Sequence, residues 1–279
     1  MHKSFVAIAV IALTLASAGC VHVLQEQELL PGAHYHAEPP ATPPDLTVEA
    51  ADGSVLRGYS FTGADRRFVF VYFGGNGEII TADSALGGIA REHGVDLYAL
   101  NYRGFAPSTG AASVEAIHVD SLRVFDAIAA RPEIRGRPIV VYGYSIGTVA
   151  ALTVATSRPV AGIVLQGAPT SAAEVIPKMR RAMPWYARMW VRLRPSPEVA
   201  AWRPQPIDLA PKLTAPLLSL HGTKDRVIAV KFGRKLLEAA ASAKKTWCPI
   251  EDGDHMGLWS AHGAAAGKCL EAFLVEIGG

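Results

Sequence analysis

Six short apolar runs, separated by longer stretches with a helical pattern, constrain the fold more than any other feature of the sequence. Runs this short and this apolar are typical of strands buried on both faces of a sheet. They are Phe68–Phe73, Leu97–Leu100, Ile139–Tyr142, Val160–Leu165, Leu217–Leu220 and Thr246–Ile250. Strands that alternate with helices need right-handed crossovers, so the sequence predicts an α/β fold with a mostly parallel sheet and helices on both faces.

Local signals predict two more strands and one helix. Leu46–Ala50 and Val55–Phe61 flank Asp52-Gly53, a strong hairpin turn, and therefore form an antiparallel pair that brings the predicted sheet to eight strands. Apolar residues between 114 and 128 fall on one helical face, and Ser113 is placed to cap that helix at its N-terminus.

The composition limits the function. Half of the 279 residues are hydrophobic and 19% are charged, which excludes a disordered chain and supplies a large core. A formal net charge of +2 gives no reason to expect nucleic acid as a partner. Three cysteines without zinc-type spacing predict neither a disulfide-dense scaffold nor a metal site. We therefore expect a protein that acts without a metal, a cofactor or nucleic acid.

Residues 1–20 have the features of an export signal: Lys3, an apolar stretch over residues 5–15, and small residues before Cys20. Ala18-Gly19-Cys20 resembles a bacterial lipoprotein box, which implies cleavage before Cys20 and its lipidation. The alternatives are plain secretion after cleavage at residue 18, and retention as an anchor, which is disfavoured because the stretch is short for a bilayer core about 30 Å thick. The favoured expectation is an exported, membrane-anchored lipoprotein, and otherwise a periplasmic or secreted protein.

Residues 21–45 contain five prolines and have no helical or strand period. This composition predicts an extended linker. The folded domain is then expected over residues 46–279.

The residues with the clearest chemical pattern are Gly143-Tyr144-Ser145-Ile146-Gly147. They follow a predicted strand and precede a helix-compatible stretch over residues 148–156, which is the strand-turn-helix context of a nucleophile elbow. Gly143 and Gly147 are needed because a side chain at either position would collide with backbone in so sharp a turn. Ser145 would project, strained and exposed, from the sheet edge. The alternative is a glycine-flanked turn without chemistry.

From residue 46 onward the chain resembles the α/β-hydrolase superfamily, in which Ser, Asp and His follow in this order. Leu217–His221 with the loop 222–228 is similar to the strand and loop that carry the acid, which implies Asp225. The loop 253–257 is similar to the one that carries the base, which implies His255. The resemblance implies the α/β-hydrolase fold with a helical lid insertion.

Other residues compete for these roles. Asp252 and Asp254 are alternative acids, but they lie too close in sequence to His255 to be favoured. His221 is an alternative base, although a structural role is favoured for a histidine at the end of a strand.

The resemblance also implies an oxyanion hole. Residues 72–78, Tyr-Phe-Gly-Gly-Asn-Gly-Glu, are similar to the family's oxyanion loop, with Gly74 where relatives often carry His. The backbone N–H groups of Asn76 and Ile146 would bind the oxyanion, each contributing about 3 to 4 kcal/mol. Residues 101–105 and 107–110 match a branch that includes membrane-associated and depalmitoylase-like serine hydrolases. Within them Tyr102 and Arg103 are expected to pack beneath the oxyanion loop rather than touch substrate.

Residues 170–208 lie where this fold inserts its lid. Residues 174–203 include seven basic and two acidic residues, which gives this stretch a net charge of +5. Interleaved with them are Trp185, Tyr186, Met189, Trp190 and Trp202. Such a mixture suits a lid that lies on an anionic membrane surface or covers an apolar acyl group. The alternative is a solvated cap whose aromatic side chains pack on the core below.

Cys248 lies on the last predicted strand and Cys269 on the predicted C-terminal helix. They form either a disulfide bridge, which an oxidising compartment would favour, or two buried free thiols. The sequence leaves both possibilities open.

These residues together predict a serine hydrolase. A serine hydroxyl needs a base to remove its proton, and the base needs a carboxylate to hold its tautomer, roles that suit His255 and Asp225. The expected substrate is a small-molecule or lipid carboxylic ester with an apolar acyl chain, cleaved through an acyl-enzyme on Ser145. A thioesterase, a peptidase and a catalytically silent ligand-binding lipoprotein are the alternatives. We expect a monomer.

Overall fold

The computed structural model describes residues 21–30, 40–176, 180–181 and 183–278. The predicted export signal, including Cys20, lies outside the described residues. Within the described ranges, no helix combines the length and the apolar character needed to cross a membrane.

The strands and helices alternate along the chain as the pattern predicts. The strands are β1 (Val21–Leu24), β2 (Leu46–Glu49), β3 (Val55–Phe61), β4 (Val69–Phe73), β5 (Asp96–Leu100), β6 (Ile139–Tyr144), β7 (Gly162–Gln166), β8 (Arg192–Pro195), β9 (Leu217–Gly222) and β10 (Lys245–Ile250). The α-helices are α1 (Glu26–Leu29), α2 (Leu86–Glu92), α3 (Val114–Ala129), α4 (Gly147–Ala155), α5 (Trp185–Trp190), α6 (Pro197–Ala201), α7 (Pro206–Leu209), α8 (Val230–Ala239) and α9 (Leu258–Gly278).

Eight of these strands form the central sheet, in the order β10-β9-β7-β6-β4-β5-β3-β2. The pairs β2–β3 and β3–β5 are antiparallel, and all the others are parallel. The predicted eight-stranded, mostly parallel sheet is therefore confirmed. The predicted hairpin is also confirmed, and Gly53 in its turn has φ +81°. The predicted cap of α3 is confirmed as well, because the Ser113 hydroxyl accepts a hydrogen bond from the Ala116 N–H at 2.9 Å.

The side chains of the buried strands point alternately to the two faces of the sheet, and this divides the core into two layers. In β4 the side chains of Val69, Val71 and Phe73 join the layer under α3, α4 and α8. Those of Phe70 and Tyr72 join the layer under α2 and α9. Successive side chains point to opposite faces of a strand, so a continuous apolar run supplies both layers.

The N-terminal segment differs from the predicted linker. β1 pairs in parallel with β8, in a small sheet separate from the central one. Leu24, Leu29 and Leu30 are buried. The prediction for residues 21–45 is thus wrong for 21–30, because one strand and one helical turn of four residues each are too short to show a period, and their partners lie far along the chain.

A disulfide joins Cys248 on β10 to Cys269 on α9, with Cα atoms 6.3 Å apart. Of the two possibilities left open by the sequence, the structure has the bridge. It closes a segment with a sequence separation of 21 residues that includes His255. In the chain-entropy model a loop of this size contributes about 3 kcal/mol to stability.

Candidate active site

Ser145 lies in the turn between β6 and α4. Its φ of 54° is in the left-handed region, which a residue with a side chain seldom occupies. The Ser145 N–H donates to the Gln166 carbonyl oxygen of β7 at 2.9 Å, so the neighbouring strand holds the strained turn. Backbone strain of this kind persists only when the surrounding structure enforces it, and it concentrates at functional sites.

The two glycines of the turn are required by close backbone contact. A Cβ on Gly143 would lie 2.5 Å from the Gly147 carbonyl oxygen. A Cβ on Gly147 would overlap the carbonyl oxygen of Phe73 at the end of β4. α4 can therefore start directly above the sheet only because neither position carries a side chain.

A chain of hydrogen bonds joins three side chains from separate loops. His255 Nε2 lies 3.0 Å from Ser145 Oγ, and His255 Nδ1 lies 2.6 Å from Asp225 Oδ2. The three loops follow the carboxyl ends of β6, β9 and β10, which meet at one edge of the sheet. Asp225 and His255 are buried, at 9% and 7% exposure. The structure brings the predicted nucleophile, acid and base into contact.

The environment of Asp225 keeps its carboxylate ionised and oriented. Oδ1 accepts hydrogen bonds from the N–H groups of Val227 and Ile228, both at 2.8 Å. Burial by itself raises the pKa of Asp225, but hydrogen bonds from His221 and His255 lower it more, and the net pKa lies well below the ordinary value. His221 is fully buried, with Nε2 3.4 Å from Asp225 Oδ2. It therefore supports the acid and does not contact the nucleophile.

The two alternative acids make other contacts. Asp252 Oδ1 lies 2.7 Å from the Lys224 ammonium on the surface. Asp254 Oδ1 accepts from the N–H groups two and three residues further on, and so shapes the loop that presents His255. The Tyr144 hydroxyl donates to the His255 carbonyl oxygen at 3.0 Å and holds the same loop from the elbow.

Hydrogen bonds to two side chains, those of Glu78 and Tyr102, hold the loop 72–78. The Glu78 carboxylate accepts from the Gly75 N–H at 2.7 Å, and the Tyr102 hydroxyl donates to the Gly74 carbonyl oxygen at 2.9 Å. Burial raises the pKa of Glu78 above its ordinary value, although hydrogen bonds from Gly75 and Tyr72 lower it. A positioning role for Glu78 did not follow from the sequence, although Glu78 is the last residue of the quoted motif.

The neighbours of Tyr102 agree with the packing role expected for that stretch. Arg103 forms a two-point ion pair with Asp120, with both nitrogen–oxygen distances 2.6 Å. Neither Tyr102 nor Arg103 lines the cleft beside the serine.

Asn76, Ser145 and Ile146 line the same cleft. Among the described residues, neither backbone N–H donates a hydrogen bond to the protein. Both N–H groups are therefore free to donate to a group bound in this cleft, and their role as an oxyanion hole stays a prediction.

The cleft is partly open to solvent, and the volume within it that the centres of water-sized molecules can occupy is about 70 Å³. Its walls come from the N-terminal segment, α3, α4 and the segment between β7 and β9. Besides Asn76, Ser145 and Ile146, it is lined by Leu29, Val114, Val149, Pro169, Ser171, Trp202, Pro204, Gln205, Pro206 and Ile228. Sequence reasoning missed Leu29, because only the fold brings residues 21–30 to the cleft.

A match to a family model shows the family to which the chain belongs. The model Hydrolase_4, described as serine aminopeptidase S33, matches residues 64–206, just over half of the chain. The chain belongs to this family of α/β hydrolases. The predicted α/β-hydrolase fold and the serine hydrolase class are confirmed.

Curated relatives support membership in this hydrolase family. Human Protein ABHD12B is 28% identical over 214 residues, which cover 72% of this chain and 58% of that protein. Human alpha/beta hydrolase domain-containing protein 17B is 28% identical over 151 residues, 54% of this chain and 47% of that protein. The chain spans about half the length of the curated relatives it matches.

Solved structures share the fold of this family member. The Pyrococcus furiosus esterase Pf2001 has a TM-score of 0.69 at 13% identity, over 84% of this chain and 91% of that one. Est1E from Butyrivibrio proteoclasticus, solved with ferulic acid bound, has a TM-score of 0.63 at 16% identity, over 83% and 98%. At these identities the likeness shows the fold.

The close contact at the elbow predicts a difference between two glycines. Gly147→Ala should lower the free energy of unfolding by about 1 to 3 kcal/mol, because its Cβ forces the start of α4 away from β4. Gly88→Ala is the matched control, since nothing lies within 4 Å of a Cβ at that position on α2. It should stabilise by about 0.5 to 1 kcal/mol through reduced backbone entropy of the unfolded chain. Urea denaturation of both variants measures the difference, and equal stabilities would contradict the elbow geometry.

Proposed function

We propose that this protein is a serine esterase that cleaves carboxylic esters with an apolar acyl chain through an acyl-enzyme on Ser145. The observation that carries the proposal is the hydrogen-bonded chain from Ser145, which lines an apolar cleft, through His255 to Asp225. The solved structures that share the fold include proteins described as esterases.

The geometry suits each step of acyl transfer. As Ser145 Oγ bonds to the ester carbonyl carbon, its proton passes to His255 Nε2, 3.0 Å away. The carboxylate of Asp225 accepts from Nδ1–H and stabilises the imidazolium that forms. The N–H groups of Asn76 and Ile146 bind the carbonyl oxygen as it becomes negative. His255 then protonates the alcohol oxygen as the carbon–oxygen bond breaks, and water releases the acid by the reverse sequence.

The cleft wall favours an apolar acyl group. In the described part of the chain the lining carries no Asp, Glu, Lys or Arg, and Leu29, Val114, Val149 and Ile228 supply apolar surface. Burial of each CH₂ group of an acyl chain against such surface contributes about 0.8 kcal/mol. Binding energy of this kind favours substrates that fill the cleft.

The description of the family model makes a serine aminopeptidase the second candidate. An aminopeptidase must bind a positively charged α-amino group next to the scissile bond, which calls for a carboxylate. Because the described cleft lining has none, the ester is the better fit. The assay that separates the two compares acyl esters with aminoacyl arylamides: faster cleavage of the arylamides would favour the peptidase. A thioester would use the same groups, whereas a silent binding protein would have no need of the hydrogen-bonded triad.

Loss of the nucleophile should abolish activity without unfolding the protein. Ser145→Ala removes the Oγ that forms the acyl-enzyme, so kcat/KM for ester hydrolysis should fall by at least about 10³-fold. Labelling by a fluorophosphonate probe should also be lost. Circular dichroism checks that the variant is folded, and turnover that survives in a folded Ser145→Ala variant would refute the mechanism.

Leu29 should set the acyl-chain preference. Leu29→Ala enlarges the cleft, so the ratio of kcat/KM for long to short acyl esters should rise by about tenfold. Leu24→Ala is the matched control: Leu24 is buried against the same lid residues, but it does not line the cleft. A p-nitrophenyl ester series measures both variants. An equal change of this ratio in Leu29→Ala and Leu24→Ala would mean that residues 21–30 affect chain-length preference only through the stability of the protein.

For location, we propose that the mature chain starts at a lipidated Cys20, as Ala18-Gly19-Cys20 implies. Mass spectrometry of the mature N-terminus should detect diacylated Cys20, and Cys20→Ser should block this processing. A mature chain that starts at an unmodified Gly19 would instead mean soluble export.

A further inference from the structure

The lid exposes large apolar side chains to solvent. Trp185, Tyr186, Met189 and Trp190 all lie on α5 and are 68%, 58%, 63% and 47% exposed. They do not pack on the core below, which distinguishes them from Trp202, whose side chain packs with Leu24 and Val199. A contiguous apolar surface on one short helix is a mark of an interaction site.

A depression lined by arginines is part of the same lid. Its wall contains Ile176, Leu193 and five arginines: Arg180, Arg181, Arg188, Arg192 and Arg194. No acidic residue lines it, and within the described ranges none of the five forms an ion pair. Five guanidinium groups without carboxylate partners repel one another, so the depression favours an anionic occupant.

We propose that α5 and this arginine depression together form a docking face for a bilayer that contains anionic phospholipid. Guanidinium groups bind phosphate oxygens in a two-point geometry, which suits lipid headgroups. Trp and Tyr side chains favour the interface between headgroups and acyl chains, where the ring is buried and the polar atom stays hydrated. The aromatic side chains of the docking face lie on α5, and its arginines lie before α5, on α5 and on β8.

The path of the chain supports this orientation. β1 pairs with β8 in parallel, so that Val21 lies opposite Arg192 and Val23 opposite Arg194. In the sequence Val21 directly follows Cys20, and residues 16–20 separate it from the apolar stretch 5–15. A lipid anchor on Cys20 would therefore be attached directly before β1, which borders the docking face, and it would hold this face toward the bilayer. Trp202 of the same lid lines the cleft, so docking would place the cleft near lipid.

Quenching of tryptophan fluorescence by brominated lipid tests whether the face, rather than the anchor alone, meets the bilayer. Full-length protein is mixed with vesicles of brominated phosphatidylcholine, with or without phosphatidylglycerol. The quenching due to the face is the difference between the wild type and Trp185→Phe/Trp190→Phe. We expect the wild type to be quenched more than the double variant by vesicles that contain phosphatidylglycerol. This difference should disappear at high salt, because salt screens charge interactions at a surface.

The arginines are tested by removing three charges at once. Arg188→Gln/Arg192→Gln/Arg194→Gln should lose the face-dependent quenching. Its matched control is Arg91→Gln/Arg123→Gln/Arg135→Gln, which removes the same charge from exposed positions on α2, on α3 and after α3. The control variant should keep the face-dependent quenching. Hydrolysis of a soluble short-chain ester should be unchanged in every variant, which shows that each is folded.

Three outcomes would overturn the proposal. Vesicle binding without face-dependent quenching would mean that the chain is held by its N-terminal region alone, and would leave the face to a different partner such as an acidic protein. Equal quenching with and without phosphatidylglycerol would exclude recognition of anionic headgroups. Equal loss in the two triple variants would assign the effect to net charge and not to the docking face.

Discussion

Close backbone contact where α4 meets the ends of β4 and β6 is the constraint on which the active site depends. At that point the absence of a side chain on Gly147 lets the helix start against the Phe73 carbonyl. The same turn places Ser145 at a positive φ and directs its hydroxyl into the cleft. It also leaves the Ile146 N–H without a partner among the described residues, next to Asn76 of the oxyanion loop. One steric condition thus positions both Ser145 and the Ile146 N–H.

Parallel strands explain how residues far apart in sequence become one site. Asp225 follows β9 and His255 follows β10, and both strands end at the edge where the elbow lies. Each loop is then held by its own contacts: backbone N–H groups on Asp225, and the Tyr144 hydroxyl on the His255 carbonyl. The disulfide between β10 and α9 closes the segment that contains the base. Preorganisation of this kind removes the cost of orienting the groups during the reaction.

The N-terminal segment connects three parts of the molecule that would otherwise be independent. Glu26 accepts a hydrogen bond from the Val114 N–H at 2.7 Å, at the start of α3. Asn76 Nδ2 donates to the Leu29 carbonyl oxygen at 2.5 Å, from the oxyanion loop. β1 extends the lid through β8. Residues 21–30 therefore form part of the cleft wall and part of the lid.

The features of this protein that depend on local pattern were predictable from its amino-acid sequence. Apolar runs predicted six strands and the Asp52-Gly53 turn predicted the other two. Gly143 to Gly147 between a strand and a helix predicted the elbow, because these signals lie within a few residues of one another. The loops of Asp225 and His255 followed from motif order in a known superfamily. Four features became visible only in the folded protein: the place of Leu29 in the cleft, the support of the loop 72–78 by Glu78, the Cys248–Cys269 bridge and the exposure of α5. Each of these depends on which distant elements meet, and a four-residue strand such as β1 gains its order from a partner about 170 residues away in the chain. Long-range packing, which leaves no period in the sequence, therefore completed the site.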